Sequence, residues 1–445
     1  MSNLTRSLAV SSWALMVAAT AQAETDWGST LGNHEGSEVN LMVIADPFID
    51  PLREISGEFA AITSADVTVD GFGYDPLHEK QILGCSQRDS QYDVLFIDGI
   101  WIGEFVEAGC LDPVEGRLEG TDPAIIAWDD YVESFRGQAE WDGQRQCLPV
   151  GAYWHMLHYR ADIFKALGIA PPETFDDVMA AAKAVTESSD YPDVSGYAMN
   201  FKRGAAAGQQ YFEWIYSAGG KPWESNFPGS ADAYADLTPT MTSPESIAML
   251  QFFEDIVPYG PTGVEGFAWD ERFNSFAQGN VAMINAWSVR TPGLNNPDIS
   301  NVVGKWDVTM FPHAEGAESV PPVGGWIMCL NAHSERKDAA WDFMRWFASP
   351  EVHKDWVMMG APASRHSTFQ DPDVISAQPW LPTLYDSAKA AWIELRPRHA
   401  MTFEMIDAVG LHVNRAIIDE VSPDEAMADA TAEVTEMLTD AGLLK

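Results

Sequence analysis

Basic side chains are the first scarcity in this chain. Its 445 residues hold 26 Lys and Arg against 66 Asp and Glu, a formal net charge of −40 at pH 7. A polyanion of that size is repelled by phosphate backbones and anionic membrane surfaces, which argues against nucleic acid or acidic lipid as partner. A surface adapted to high salt would carry the same charge, so it says little about a ligand. Long apolar runs are also missing. After the N-terminal segment no stretch reaches the about 20 residues that a spanning helix needs. The signatures of chemistry are absent too: there is no GxSxG elbow, no GxxxxGK[ST] loop, no HExxH and no GxGxxG. His155 and His158 stand three apart on an expected strand, which puts them on opposite faces rather than on one metal. Among 66 acidic residues almost any carboxylate pair can be imagined, so pairs suited to glycoside hydrolysis carry no information. Nothing in the sequence demands an enzyme, a cofactor or a metal.

What is present begins with an export signal. Arg6 is followed by the apolar run Leu8 to Ala19 and by Ala21-Gln22-Ala23, a small-x-small cleavage site, so residues 1–23 are expected to be removed after Ala23. No Cys stands there to carry a lipid. The mature chain is expected to be soluble and periplasmic, and at this length to form two or more domains or lobes. Its four cysteines, Cys85, Cys110, Cys147 and Cys329, fit no zinc spacing and lie in an oxidising compartment. Cys110 and Cys147 both fall at turn-to-strand edges of the N-terminal half, which suggests a disulfide between them. Sequence alone leaves the other pairings open.

Short strands alternate with helices from Glu38 to Leu111. Strands are expected at 38–45, 66–69 and 93–97, and helices from Asp50-Pro51 to about Ala61 and over 76–85. This rhythm implies βαβ units, a mainly parallel sheet and an α/β fold. Ligands bind such sheets outside the carboxyl ends of the strands, which points to Asp46 and Phe48, Tyr74, and Asp98 and Trp101. A second α/β region starts near Leu148. Thr174 with Asp177 forms a capping box, and Ser243-Pro244 opens a helix by N-cap and Pro logic. The helix Trp269 to Gln278 is stopped by Gly279, and strand Val281 to Ala286 runs into Trp287.

The order of these elements resembles a known family. YDVLFIDGIWIGEFVEAGCLDPVE and LPVGAYWHMLHYRADIFKALGIAPPETFDDVMAAAKAV look like the N-terminal half of a family 1 extracellular solute-binding protein. FNSFAQGNVAMINAWSV, VGGWIMCLNAHSERKDAAWDFMRWFASPE and GAPASRHS resemble later segments of that family, in order across nearly the whole mature chain. The resemblance implies a two-lobe periplasmic-binding fold with a central cleft and crossings near 151–153, 309–312 and 360–362. Lobe 1 would hold 24–151 plus 313–360, and lobe 2 would hold 152–312 plus 361–445. It further implies capture of a neutral carbohydrate or polyol and delivery to an inner-membrane ABC permease, by a monomer that is not membrane-embedded.

Candidate ligand-binding residues follow from chemistry and from that likeness. A sugar or polyol has apolar C–H faces and a polar rim, so flat rings and fixed polar groups suit it. Trp287 occupies the family's stacking position, with a core role as its rival. Trp326 follows Gly324-Gly325, where backbone comes close to a ligand, and strand packing is its alternative. Arg365 offers a planar donor fork or else an interlobe salt bridge. Asp98 serves as hydroxyl acceptor or helix cap, and Tyr153 sits at a crossing. Asp46, Phe48, Tyr74, Trp101, Trp154 and Arg203 are placed only by strand-end or loop position. Arg396 and Arg398 could reach the cleft, with a surface or interlobe role preferred for them. A secreted glycoside hydrolase or lyase with an aromatic cleft is one rival. A receptor for an anionic or peptide-like solute is the other, and would require two of Arg203, Arg290 and Arg365 to converge.

Overall fold

Nine strands join into one mixed sheet, and one long strand carries it from one half of the molecule to the other. The computed structural model describes residues 25–225, 236–393 and 395–444, and the expected leader, residues 1–23, lies outside them. The strands are β1 (Glu38–Ile44), β2 (Asp66–Phe72), β3 (Val94–Asp98), β4 (Leu111–Asp112), β5 (Leu148–Tyr159), β6 (Ser195–Ala198), β7 (Val281–Trp287), β8 (Asp307–Thr309) and β9 (Val323–Asn331). Their path is β2-β1-β3-β9-β5-β7-β6, with β8 added to β5 and β4 to β9. β1 is parallel to β2 and to β3, and β6 is parallel to β7, whereas β5 and β9 run against their neighbours. The parallel expectation therefore holds on the two flanks and not in the centre. β3, β5 and β9 are buried along their whole lengths, which explains why VLFI and VGGWIMCL read as continuous apolar runs.

β5 changes partners halfway along. Leu148 to Trp154 pair with β9, while His155 to Tyr159 pair with β7 and, over the last three residues, with β8. Gly325 makes this junction possible. Its φ is +126°, and a Cβ there would collide with the Gly151 carbonyl oxygen across the sheet.

Helices on the sheet start where their caps predict. They include α1 (Ile49–Thr63), α2 (Tyr74–Gln87), α3 (Phe175–Thr186), α4 (Ala205–Trp214), α5 (Pro244–Ile256), α6 (Trp269–Ala277), α7 (Lys337–Phe347), α8 (Thr402–Ile417) and α9 (Pro423–Asp440). Thr174 Oγ1 accepts from Asp177 N (3.1 Å) and Asp177 Oδ2 accepts from Thr174 N (3.0 Å), completing the capping box of α3. Ser243 Oγ accepts from Ser246 N (3.2 Å) at the start of α5. α1 departs slightly from its signal: it begins before Asp50, which sits in the first turn and pairs with Arg53 at 2.9 Å.

The cysteines correct the sequence reading. They pair as Cys85–Cys110 and Cys147–Cys329, not as Cys110–Cys147. Cys147 immediately precedes β5, and Leu148 lies opposite Met328 of β9, so the neighbour in space comes from 182 residues away. Cys110 meets the end of α2 instead. Two later segments are tied to distant parts of the chain. His313 N donates to Glu173 O (3.2 Å) and Val320 N to Ser217 Oγ (2.9 Å). Val132 N donates to Ser364 O (3.0 Å), and Ser134 Oγ to Ala388 O (2.7 Å).

Candidate ligand-binding cleft

The parallel order of β1, β2 and β3 brings their carboxyl ends to one edge, where Asp46, Tyr74 and Asp98 line a cleft of about 610 Å³. β7 ends at the same cleft with Trp287, and Arg290 follows it. Register fixes the floor. Trp326 lies opposite Asp98 on one side and Gly151 on the other, and Tyr153 lies opposite Gly324.

Two polar networks organise these groups. The first is built on Asp98, whose two oxygens accept from Arg396 Nη2 (3.0 Å) and Nη1 (3.2 Å), a bidentate pair. The Tyr74 hydroxyl donates to Asp98 Oδ2 (3.0 Å), and Gln209 Nε2 donates to that hydroxyl (3.1 Å). Arg396 Nη1 donates to Gln209 Oε1 (3.3 Å) and closes the ring. Asp98 Oδ1 also accepts from Ile100 N (3.3 Å), which is the helix-cap role considered for it. The second network is built on Asp46, whose Oδ2 accepts from the Tyr153 hydroxyl (2.9 Å) and Trp326 Nε1 (3.3 Å). Arg290 bridges Asp46 (3.8 Å) and Asp270 (2.7 Å). Burial raises the Asp46 carboxyl above its ordinary value while Arg290 works against the rise. Burial and the neighbouring carboxylates Asp98 and Asp46 raise the Tyr74 and Tyr153 phenols, so both remain hydroxyl donors.

Rings supply the apolar part of the wall. Trp287, Trp326, Tyr74, Tyr153 and Trp269 all line the cleft. The Arg396 guanidinium lies 5.4 Å from the Trp287 ring, and Tyr74 packs against Trp269 and Trp326. Such a lining can remove the C–H faces of a small polyhydroxylated molecule from water and meet its hydroxyls with donors and acceptors.

Six of the eleven candidates from sequence thus come together: Asp46, Tyr74, Asp98, Tyr153, Trp287 and Trp326. The other five do not line this cleft. Arg365 is fully buried elsewhere, donating to the carbonyls of Ile126 (2.8 Å), Ala127 (3.2 Å) and Ala348, with its guanidinium 3.7 Å from the Tyr131 ring. Its two Nη groups are taken up by these carbonyls and by Asp130 (3.5 Å), which turns the fork away from the cleft. Trp154 is buried and donates to Ser134 Oγ (3.2 Å). Phe48 is buried among Phe96, Tyr153 and Trp356 because it turns inward at the start of α1. Trp101 stands one layer back, behind Tyr74 and Trp326. Arg203 is exposed. The sequence reading missed Gln209 and Trp269, and preferred a surface or interlobe place for Arg396 over the cleft it lines. Gln209 sits in a helix with no local signal, and Trp269 is the first residue of α6. Arg396 lies in an irregular segment yet is only 2% exposed and lines the cleft, so of the alternatives given for it the surface one fails.

Comparisons with known proteins bear on this geometry. The sequence profile of one family, bacterial extracellular solute-binding protein, matches residues 45–354. An ABC transporter solute-binding protein of Agrobacterium radiobacter, solved in complex with ribitol, superposes with a TM-score of 0.82 at 29% identity, covering 91% of this chain and 99% of that one. A probable amino-acid ABC transporter periplasmic-binding protein of Sinorhizobium fredii is 24% identical over 93% of this chain and 92% of its own length. The mannitol-binding protein of Pseudomonas aeruginosa is 22% identical over 83% and 85%. Among the described residues no helix is long and apolar enough to cross a membrane.

Proposed function

This chain belongs to the bacterial extracellular solute-binding proteins, and from that premise we propose that its cleft captures a small neutral polyol or sugar for an inner-membrane ABC permease. In this reading the protein acts as a periplasmic monomer freed of residues 1–23 and carries out no covalent chemistry. One observation supports it most: both guanidinium groups in the cleft, Arg396 and Arg290, are already held by carboxylates. Among the described lining residues the one other cation is Lys202, and Arg203 and Arg365 do not converge with Arg290, the arrangement that would favour that rival. The ring-lined walls suit a polyol's C–H faces, and the neutral side chains Tyr153 and Gln209 keep a hydroxyl lone pair and a second amide hydrogen for its hydroxyl groups. The relatives that bind ribitol and mannitol support the same class.

Closure would draw two lobes onto the ligand, a population shift stabilised by contacts from both sides. We base the lobes on residues 24–151 with 313–360 and 152–312 with 361–445, and draw the first hinge where β5 exchanges partners at Trp154 and His155. Following their backbone bonds, 313–320 travels with lobe 2 and 364–390 with lobe 1.

A thermal-shift panel of pentitols, hexitols, mono- and disaccharides and amino acids tests the proposal. A ligand present at 100 times its Kd stabilises by about 2.7 kcal/mol. The expected result is a clear rise with at least one polyol or sugar and none with amino acids. A response to amino acids alone overturns it.

A further inference from the structure

Behind the cleft lies a group of buried polar side chains that the ligand reading does not use. Glu213 of α4, Arg272 of α6, His155 of β5 and Asn285 of β7 are each at most 2% exposed. Both Glu213 carboxylate oxygens, both His155 ring nitrogens, Arg272 Nε and Nη1 and Asn285 Nδ2 have no hydrogen-bond partner among the described residues. The Glu213 carboxylate comes no nearer than 3.9 Å to His155 Nδ1, and no ion pair within 4.0 Å joins it to Arg272. Buried polar atoms are rarely left so, and seven in one place mark a site built for something that hydrogen-bonds.

The position of this group says what. Glu213 is one helical turn beyond Gln209 on α4, so the two share a face, and Gln209 lines the cleft. His155 lies opposite Trp287 in the sheet, and their rings are 4.0 Å apart. Arg396 and Asp98, both in the cleft lining, act electrostatically on Glu213. We infer that Glu213, Arg272 and His155 form the inner end of the ligand site, where Glu213 accepts a hydrogen bond from, and Arg272 donates one to, a terminal hydroxyl of an acyclic polyol. On this inference a chain-like polyol inserts past Gln209 and the edge of Trp287 to meet these groups, whereas the wider ring of a pyranose stops in the outer cleft. The inference rests on the proposed function and adds the residues that select among its ligands.

The charge state of Glu213 provides a readout. Burial raises its carboxyl to about 7, with Arg396 and Arg272 opposing and Asp98 assisting, while burial first and then the two arginines keep His155 well below its ordinary value. A hydroxyl donating to the carboxylate favours the charged form. Binding therefore releases protons near pH 7, and affinity rises severalfold from pH 6 to pH 8.

Isothermal titration with ribitol and D-mannitol, in buffers of different ionisation enthalpy, measures this on the wild-type chain. Proton release at pH 7 is expected, and its disappearance in Glu213→Gln, with at least tenfold weaker polyol binding and a flat pH profile, assigns it to Glu213 rather than Asp46. Three outcomes overturn the inference: no proton exchange, an unchanged pH profile in Glu213→Gln, or a ligand-bound structure in which only ordered water meets Glu213 and Arg272. If the wild-type chain binds glucose but neither polyol, the inner-site assignment fails while the cleft reading stands. If it binds no sugar or polyol at all, both fail.

Discussion

Burial decides what a charged side chain does in this molecule. Arg365 and Arg396 are equally buried, but backbone carbonyls hold the first inside the scaffold and Asp98 holds the second in the cleft. Glu213 shows the cost of burial without a partner. Its carboxyl is raised from 4.5 to about 7, so the folded chain keeps a proton that the unfolded chain has lost. The stability tied to that proton is complete below pH 4.5 and is lost as pH rises to about 7. Glu213→Gln cannot ionise, so it should match wild type near pH 4.5 and exceed it above pH 7. At 1.36 kcal/mol per pH unit the gain is on the order of 3 kcal/mol. Urea denaturation at pH 4.5 and 8 checks this, and equal curves at pH 8 would show that the carboxylate is solvated after all. Tyr74 and Asp98 were readable from the sequence because strand-end position exposes them; nothing local distinguished Gln209 from its helix neighbours.

Helix packing tells glycines apart. α4 and α8 cross so closely that a Cβ on Gly208 would collide with the Ile406 carbonyl oxygen, and one on Gly410 with that of Gly204. Gly57, in the exposed face of α1, has nothing within 4 Å of its would-be Cβ. The same change should therefore act in opposite directions. Gly208→Ala should cost about 1–3 kcal/mol through overpacking, and Gly57→Ala should add about 0.5–1 kcal/mol through helix propensity. Thermal denaturation of the two variants separates these signs. Elements themselves were largely readable in advance: the Thr174 capping box, the Ser243-Pro244 start and the Gly279 stop all come from local rules and all appear. Pairing between distant strands follows no local rule. The wrong disulfide came from treating Cys147 as a neighbour of what precedes it, when β9 brings Cys329 to its side.

The two disulfides act at the largest scale. Cys85–Cys110 closes a loop of 25 residues and Cys147–Cys329 one of 182, and both restrict the unfolded chain more than the folded one. The double variant Cys147→Ser, Cys329→Ser should lose about 2–5 kcal/mol of unfolding free energy, measured in guanidinium under oxidising conditions. An unchanged midpoint would show that the long-range link adds nothing. β9 has a further consequence for how the molecule comes into being. It is inserted between β3 and β5, yet it is made from residues 323–331, after all the other strands have emerged. Until then β3 and β5 each present a bare edge, and no sheet spans the molecule. The centre of the sheet is therefore the last part of it that a growing chain can complete.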